Sequence, residues 1–151
     1  MLSTRISPSI RPARPDDAGE ITRLCAELGY PASVEAIAAN LAVLLASARY
    51  HVAVADRGSE LLGWAVVEHR HWLESGARAE LTGLVVSASA RRMGIGKALV
   101  AAAERWGSEQ GLKSIYVRSN TAREESHPFY LGIGYARKKT QHTYEKPLVP
   151  I

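Results

Sequence analysis

The residues whose types and spacing could do chemistry gather in Arg91-Arg92-Met93-Gly94-Ile95-Gly96-Lys97, where two arginines precede a glycine pair and a lysine. The segment runs straight into "ALVAAAERW", and Ile95, Leu99, Ala102 and Trp106 recur at helical spacing. A loop that opens a helix presents N–H groups with no intrahelical acceptor, at the positive end of the helix dipole. Glycine there tolerates φ > 0 and lets a ligand approach the backbone, so the segment suits a phosphate group, with Arg91, Arg92 and Lys97 adding charge. A plain tight turn is the alternative. Spacing excludes two nucleotide loops: a Walker A motif needs glycine at 91 and Ser or Thr at 98, where the chain has Arg91 and Ala98, and the dinucleotide fingerprint needs glycine where Leu99 stands. His69 and His71 share a strand face but have no acidic or cysteine partner at ligand spacing, so no metal site is expected. Cys25 falls in the helical row Ile21, Leu24, Cys25, Leu28 and reads as a buried structural thiol, not a nucleophile.

The elements that must position this loop are legible from periodicity and punctuation. Pro15-Asp16-Asp17 starts a helix that runs from about Asp16 to Leu28 and closes at Gly29. Ser33 caps a second helix to about Ser47. "HVAVAD" and "LLGWAVVEHRHWL" form a hairpin through the turn Arg57 to Glu60, and "ARAELTGLVVSA" is a third strand beside them. The helix after Gly94 ends near Gln110-Gly111. "KSIYVRSN" is a further strand, "AREESHPFYLGIGY" a short helix, and "ARKKTQHTYEKPL" one or two closing strands. This order describes a mixed α/β layer protein.

With 151 residues the chain fits one domain, and composition is ordinary for a globular protein, with 46% apolar and 23% charged residues. No apolar stretch approaches the ~20 residues of a membrane span, and no signal-peptide core precedes the first helix, so a cytoplasmic protein is expected. The formal charge of +4 comes from scattered basic residues, which argues against nucleic acid and remains compatible with a small phosphorylated cofactor.

The pattern Arg91-x-x-Gly94-x-Gly96, preceded by "LTGLVVSASA" and followed in order by "YVRSN" and "HPFYLGIGY", resembles the GNAT superfamily of acetyl-CoA-dependent N-acetyltransferases from about Ile10 to Leu148. The resemblance implies a single GNAT domain over 1–151: one mixed, mostly antiparallel sheet of six or seven strands, flanked by four helices and splayed between the fourth and fifth strands. It implies that Leu84, Val85 and Val86 pair with pantetheine, that Arg91, Arg92, Met93, Gly94, Ile95, Gly96 and Lys97 hold the pyrophosphate, and that Gly83 sits at a bulge. Asn120 resembles the family asparagine that reaches the pantetheine arm, or else ends its strand in a turn. Tyr130 matches the tyrosine that protonates the departing thiolate, or else packs beside Phe129. Glu80 corresponds to an acid that accepts the amine proton through water, although a solvated strand face is the alternative; a backbone N–H near Leu84 would hold the oxyanion. His127 stands one helical turn before Tyr130, and Pro128 either breaks that helix or presets its first turn.

The expected function is therefore transfer of acetyl from acetyl-CoA to a primary amine on a small molecule, by direct attack in a ternary complex. "RSNTAREESHPFYLGIGYARKKTQHTYEKPL" has a loose likeness to bacterial small-amine and aminoglycoside-type enzymes. Acetylation of a protein N-terminus or lysine, and acetyl-CoA sensing without turnover, are the other readings. The acceptor's identity and the oligomeric state stay open, although relatives are often dimers.

Overall fold

A computed structural model of the chain describes residues 7–151. They form two compact units, one ending at Arg118 and the other running from Ser119 to Ile151. In the first unit the order is β1 (Ser9–Pro12), a 3-10 turn (Pro15–Asp17), α1 (Ala18–Glu27), α2 (Val34–Leu45), β2 (Tyr50–Arg57), β3 (Glu60–Trp72), β4 (Gly76–Val86), a second 3-10 turn (Ala88–Ala90), α3 (Ile95–Glu109) and β5 (Ile115–Val117). The second unit contains α4 (Ser126–Gly132).

The five strands make one sheet in the order β1-β2-β3-β4-β5, antiparallel except for the parallel pair β4–β5. The expectation of six or seven strands is thus too high among the described residues, because 136–151 joins no ladder. β-propensity in that segment is not sufficient without a partner edge, and Pro147 and Pro150 lack the N–H that a ladder needs. The four helices stand as expected, and the caps place their ends. Ser33 Oγ accepts the Ala36 N–H at 3.1 Å to open α2. Left-handed Gly29 (φ 83°) and Gly111 (φ 78°) follow α1 and α3.

Alternation along the strands divides the core into two faces. Val52, Val54 and Val85 pack with Ile21, Leu24 and Cys25 of α1 and Leu41 of α2. The opposite face is paved with small residues, Ala53, Ala55, Gly63, Ala65 and Ala79, and α3 lies on it. A Cβ on Gly63 would come within 2.6 Å of the Val85 carbonyl oxygen, 3.0 Å of Leu99 Cδ1 and 3.4 Å of Ile95 Cγ2. One on Gly107 would meet Ala79 Cβ at 3.3 Å. The buried row of α3 is accordingly Ile95, Leu99, Val100, Ala103 and Gly107, with Ala102 and Trp106 at its margin instead of its centre.

At the far edge, Arg11 of β1 fixes the start of α1. Its Nη1 and Nη2 reach the Asp17 carboxylate at 2.9 and 2.8 Å, and its Nε reaches Asp56 at 2.9 Å. Asp17 also accepts the Arg14 N–H at 2.7 Å. With the Asp17 side chain only 8% exposed, Asp17→Ala leaves Arg11 with Asp56 as its remaining carboxylate partner and the Arg14 N–H without this acceptor, and is expected to cost about 2 kcal/mol of stability, or roughly 6 °C in Tm. The Arg11 hydrogen bond, more than any other influence, holds the Asp17 carboxyl below its ordinary 3.8. A depressed folded value contributes stability above the unfolded pKa that is lost as the pH falls through the folded one, so the gap between the two proteins should close in strong acid. Calorimetry across pH checks both points, and a gap that persists undiminished into strong acid would refute the electrostatic account.

Candidate active site

The glycine segment joins β4 to α3. Ser87 leaves the sheet donating its N–H to the Leu62 carbonyl at 2.8 Å, and Met93 closes the next turn onto the Ala90 carbonyl at 3.3 Å. Arg92 (φ 68°) and Gly94 (φ 75°) are both left-handed. Arg92 is unusual in that role, since a side chain there costs roughly 1–2 kcal/mol. Gly96 does not share it: it lies inside the first turn of α3, so only Gly94 supplies the positive φ expected of the glycine pair. The first bond within α3 runs from the Ala98 N–H to the Gly94 carbonyl at 3.0 Å. The N–H groups of Ile95, Gly96 and Lys97 therefore precede the helical ladder. Arg91, Arg92, Met93, Gly94 and Lys97 are exposed, whereas the Ile95 side chain is buried and anchors the turn.

Upstream of the loop, β5 pairs with β4 only at Ala79, Glu80 and Leu81. Thr82–Val86 thus carries no β5 partner, and the expected stretch Leu84, Val85 and Val86 lies on this unaccompanied part of the strand. The β3–β4 register steps from Val67↔Leu81 to Val66↔Gly83, which makes Thr82 the extra residue of a bulge, next to the expected Gly83. Gly83 has its own reason to lack a side chain, because a Cβ there would come within 2.7 Å of the Trp64 ring. The bulge also puts Gly83, opposite Val66, on the face that Glu80 occupies.

Glu80 is not on a solvated face. It is 5% exposed, and Arg70 Nη1 donates to its Oε2 at 2.7 Å. Arg118 Nε lies 3.5 Å from Oε1 at ion-pair distance but outside hydrogen-bond geometry, so this buried oxygen has no hydrogen-bond donor among the described residues. Glu68 and Tyr116 stand opposite Glu80 on the neighbouring strands, and the Tyr50 hydroxyl reaches Glu68 Oε1 at 3.5 Å. Arg78, opposite Arg70, lies over the Tyr116 ring at 3.8 Å and the Trp72 ring at 5.1 Å. Sequence reasoning did not single out Arg70; its ten-residue separation from Glu80 across the hairpin was the available signal.

Two expected site residues fall in the second unit. Asn120 Oδ1 accepts the Ala122 N–H at 2.9 Å, a local turn that orients the carboxamide. In α4, Pro128 occupies the first turn, where its missing N–H breaks no helical bond, so the helix carries His127 and Tyr130 without interruption. His127 Nε2 lies 3.3 Å from the Thr121 carbonyl. The Tyr130 ring sits 5.1 Å from Phe129 and 5.7 Å, edge-on, from Tyr135, and burial pushes its phenol above the ordinary value of 10. Burial also pushes the Cys25 thiol up, which keeps it protonated in the core.

The strand, loop and helix arrangement is that of an acyl-CoA-binding fold, and residues 18–135 match the Acetyltransferase (GNAT) family. The chain belongs to that family: it is an N-acetyltransferase, and its acyl donor is acetyl-CoA. It is 31% identical over 150 residues to the aminoglycoside N(6′)-acetyltransferase type 1 of Klebsiella aerogenes, covering 94% of this chain and 98% of the relative. Among solved structures it resembles the aminoglycoside N-acetyltransferase AAC(6′)-Iy in complex with CoA, with a TM-score of 0.86 at 23% identity over 96% of this chain and 99% of that one. A transcriptional regulator from Bacillus halodurans matches at a TM-score of 0.81 and 22% identity, over 92% and 99% of the two chains. Fold likeness of this degree does not by itself fix an acceptor. No helix among the described residues is long and apolar enough to cross a membrane.

The residues present fit the cofactor. A Cβ at left-handed Gly94 would have nothing within 4 Å, so the backbone there is open to a ligand. Three leading amides, three exposed cations and an unaccompanied strand edge adjoin along one stretch of chain.

Proposed function

We propose that the protein acetylates a primary amine on a small polycationic molecule of the aminoglycoside class, by direct attack within a ternary complex. The observation that carries this reading is the end-to-end likeness to the Klebsiella 6′-N-acetyltransferase, at 31% identity over 94% of this chain. The whole chain, 1–151, acts as one domain in this proposal, since the family match runs across the Arg118–Ser119 boundary. A cytoplasmic setting supplies the acetyl-CoA.

Bound acetyl-CoA supplies a thioester whose carbonyl carbon is the electrophile. The amides of residues 94–97, with Arg91, Arg92 and Lys97, bind the pyrophosphate. Leu84, Val85 and Val86 pair through their backbone with the pantetheine arm, and the Asn120 carboxamide reaches the same arm. Arg70 fixes one oxygen of Glu80, while Oε1 attracts the acceptor's ammonium and takes its proton through a water. An N–H near Leu84 donates to the carbonyl oxygen as negative charge develops there. The neutral amine then forms the N–C bond as the C–S bond breaks, and the phenol of Tyr130 gives its proton to the thiolate and regains one from solvent; two protons leave the original ammonium, and the balance is one on sulfur and one released.

Thiol release measured with acetyl-CoA across an amine panel tests the acceptor class. Aminoglycosides with a 6′-amine should turn over at least about tenfold faster, by kcat/KM, than counterparts with a 6′-hydroxyl. Equal rates for the two groups, or a preference for peptide amines, would overturn the assignment.

A further inference from the structure

We propose that Glu27 is a positioning residue for the cofactor loop, an inference that rests on reading residues 91–97 as the pyrophosphate cradle. Glu20, Arg23 and Glu27 stand three and four residues apart and form one row along α1. The row spans the end of the sheet where β3 begins and β4 finishes. Glu20 Oε1 accepts the Leu61 N–H at 3.0 Å, and Arg23 Nη2 donates to the Leu61 carbonyl at 2.9 Å. A second bulge, where the β2–β3 register steps from Ala55↔Gly63 to Asp56↔Leu61, sets Leu62 apart, and its carbonyl takes the Ser87 N–H.

Glu27, the last residue of α1, completes the row on the loop itself. Its Oε1 accepts the Ala88 N–H at 2.6 Å and the Ser87 hydroxyl at 3.1 Å, while Arg23 Nη1 holds Oε2 at 3.3 Å. The Ala88 N–H, chiefly, holds the Glu27 carboxyl below its ordinary value, and Arg91 acts in the same direction, so the acceptor is charged at neutral pH. A hydrogen bond from a backbone N–H to a carboxylate is stronger than one to a neutral group.

Ser87 is 2% exposed, yet four residues later the chain is on the surface and Arg92 has adopted a left-handed backbone. Further along the segment Ala90 and Ile95 are buried, at 1% and 3% exposure, so Ser87 and Ala88 set where the segment starts and those two side chains set its later course. A cradle of amides binds an anion only as well as those amides are held in place beforehand. Glu27 does this from an element 60 residues away in sequence, and none of its contacts is to the amides of residues 94–97.

Calorimetric titration with CoA and steady-state kinetics test the proposal. Glu27→Ala should raise the CoA Kd and the acetyl-CoA KM about tenfold, while the amine KM and kcat stay within about twofold. Glu27→Gln, which keeps an acceptor oxygen and loses the charge, should recover binding to within about threefold of wild type. Ser87→Ala should weaken CoA binding in the same direction, and its effect should shrink in the Glu27→Ala background, since the two share one contact. A Glu27→Ala protein that binds CoA like wild type, or a Glu27→Gln protein as weak as Glu27→Ala, overturns the positioning role and leaves the cradle assignment standing. Failure of the wild-type protein to bind CoA overturns the cradle assignment itself.

Discussion

Replacing Gly94 by aspartate is expected to raise the Kd for CoA by at least about 100-fold, equivalent to some 2.7 kcal/mol. Two effects combine. The left-handed backbone at Gly94 (φ 75°) penalises any β-carbon by roughly 1–2 kcal/mol, and a carboxylate at the helix N-terminus meets the pyrophosphate with like charge. Gly94→Ala carries the backbone penalty alone and should weaken binding by about tenfold, so the difference between the variants isolates the charge. Neither should unfold the protein, because a Cβ there has nothing within 4 Å. Thermal shift with and without CoA reads the result, and a CoA-induced shift as large as in wild type would sink the loop assignment.

Tyr130→Phe is expected to lower kcat by a factor of about 100 to 1,000 with little change in the KM for acetyl-CoA, the signature of a proton donor used in the transition state. Phenylalanine preserves the ring that packs against Phe129 and Tyr135, so a folding defect is not the expected cause. Burial raises the phenol pKa above 10, which keeps Tyr130 protonated at neutral pH. Loss of kcat through its deprotonation should therefore begin only above its ordinary value. A Tyr130→Phe enzyme with wild-type kcat, measured by thiol release, would reduce Tyr130 to a packing residue.

What the sequence discloses is local. Ser33, Gly29, Gly94 and Gly111 mark helix ends because caps and left-handed turns depend on residue type at one position. The glycine segment was readable for the same reason, down to the residues excluded at 91, 98 and 99. The ion pair of Arg70 with Glu80 depends on a strand register and on the bulge at Thr82, neither of which periodicity records. Glu27 meets Ser87 only after α1 has docked on the sheet. Arg92 takes a backbone that its side chain disfavours, imposed by its neighbours. The small apolar residues of α3, Ala103 and Gly107, look like spacers in sequence and are contact points in the fold, so the buried row runs through them and leaves Ala102 and Trp106 at its margin. The stretch after Tyr135 carries strand-forming residues but pairs with no edge, so it adds no strand to the five among the described residues.

The close seating of α3 sets a limit on how this enzyme can be improved. Exchanging glycine for alanine inside a strand is a routine route to a more robust protein, and Gly63 looks like a natural target. One methyl group there would press on the Val85 carbonyl, 2.6 Å away, and on Leu99 Cδ1, 3.0 Å away, at the same time. Those residues belong to the strand proposed to meet the pantetheine arm and to the helix that follows the proposed phosphate loop. A thermostability screen that ignores ligand binding would therefore act at Gly63 on the spacing between β4 and α3, on which the proposed cofactor site depends.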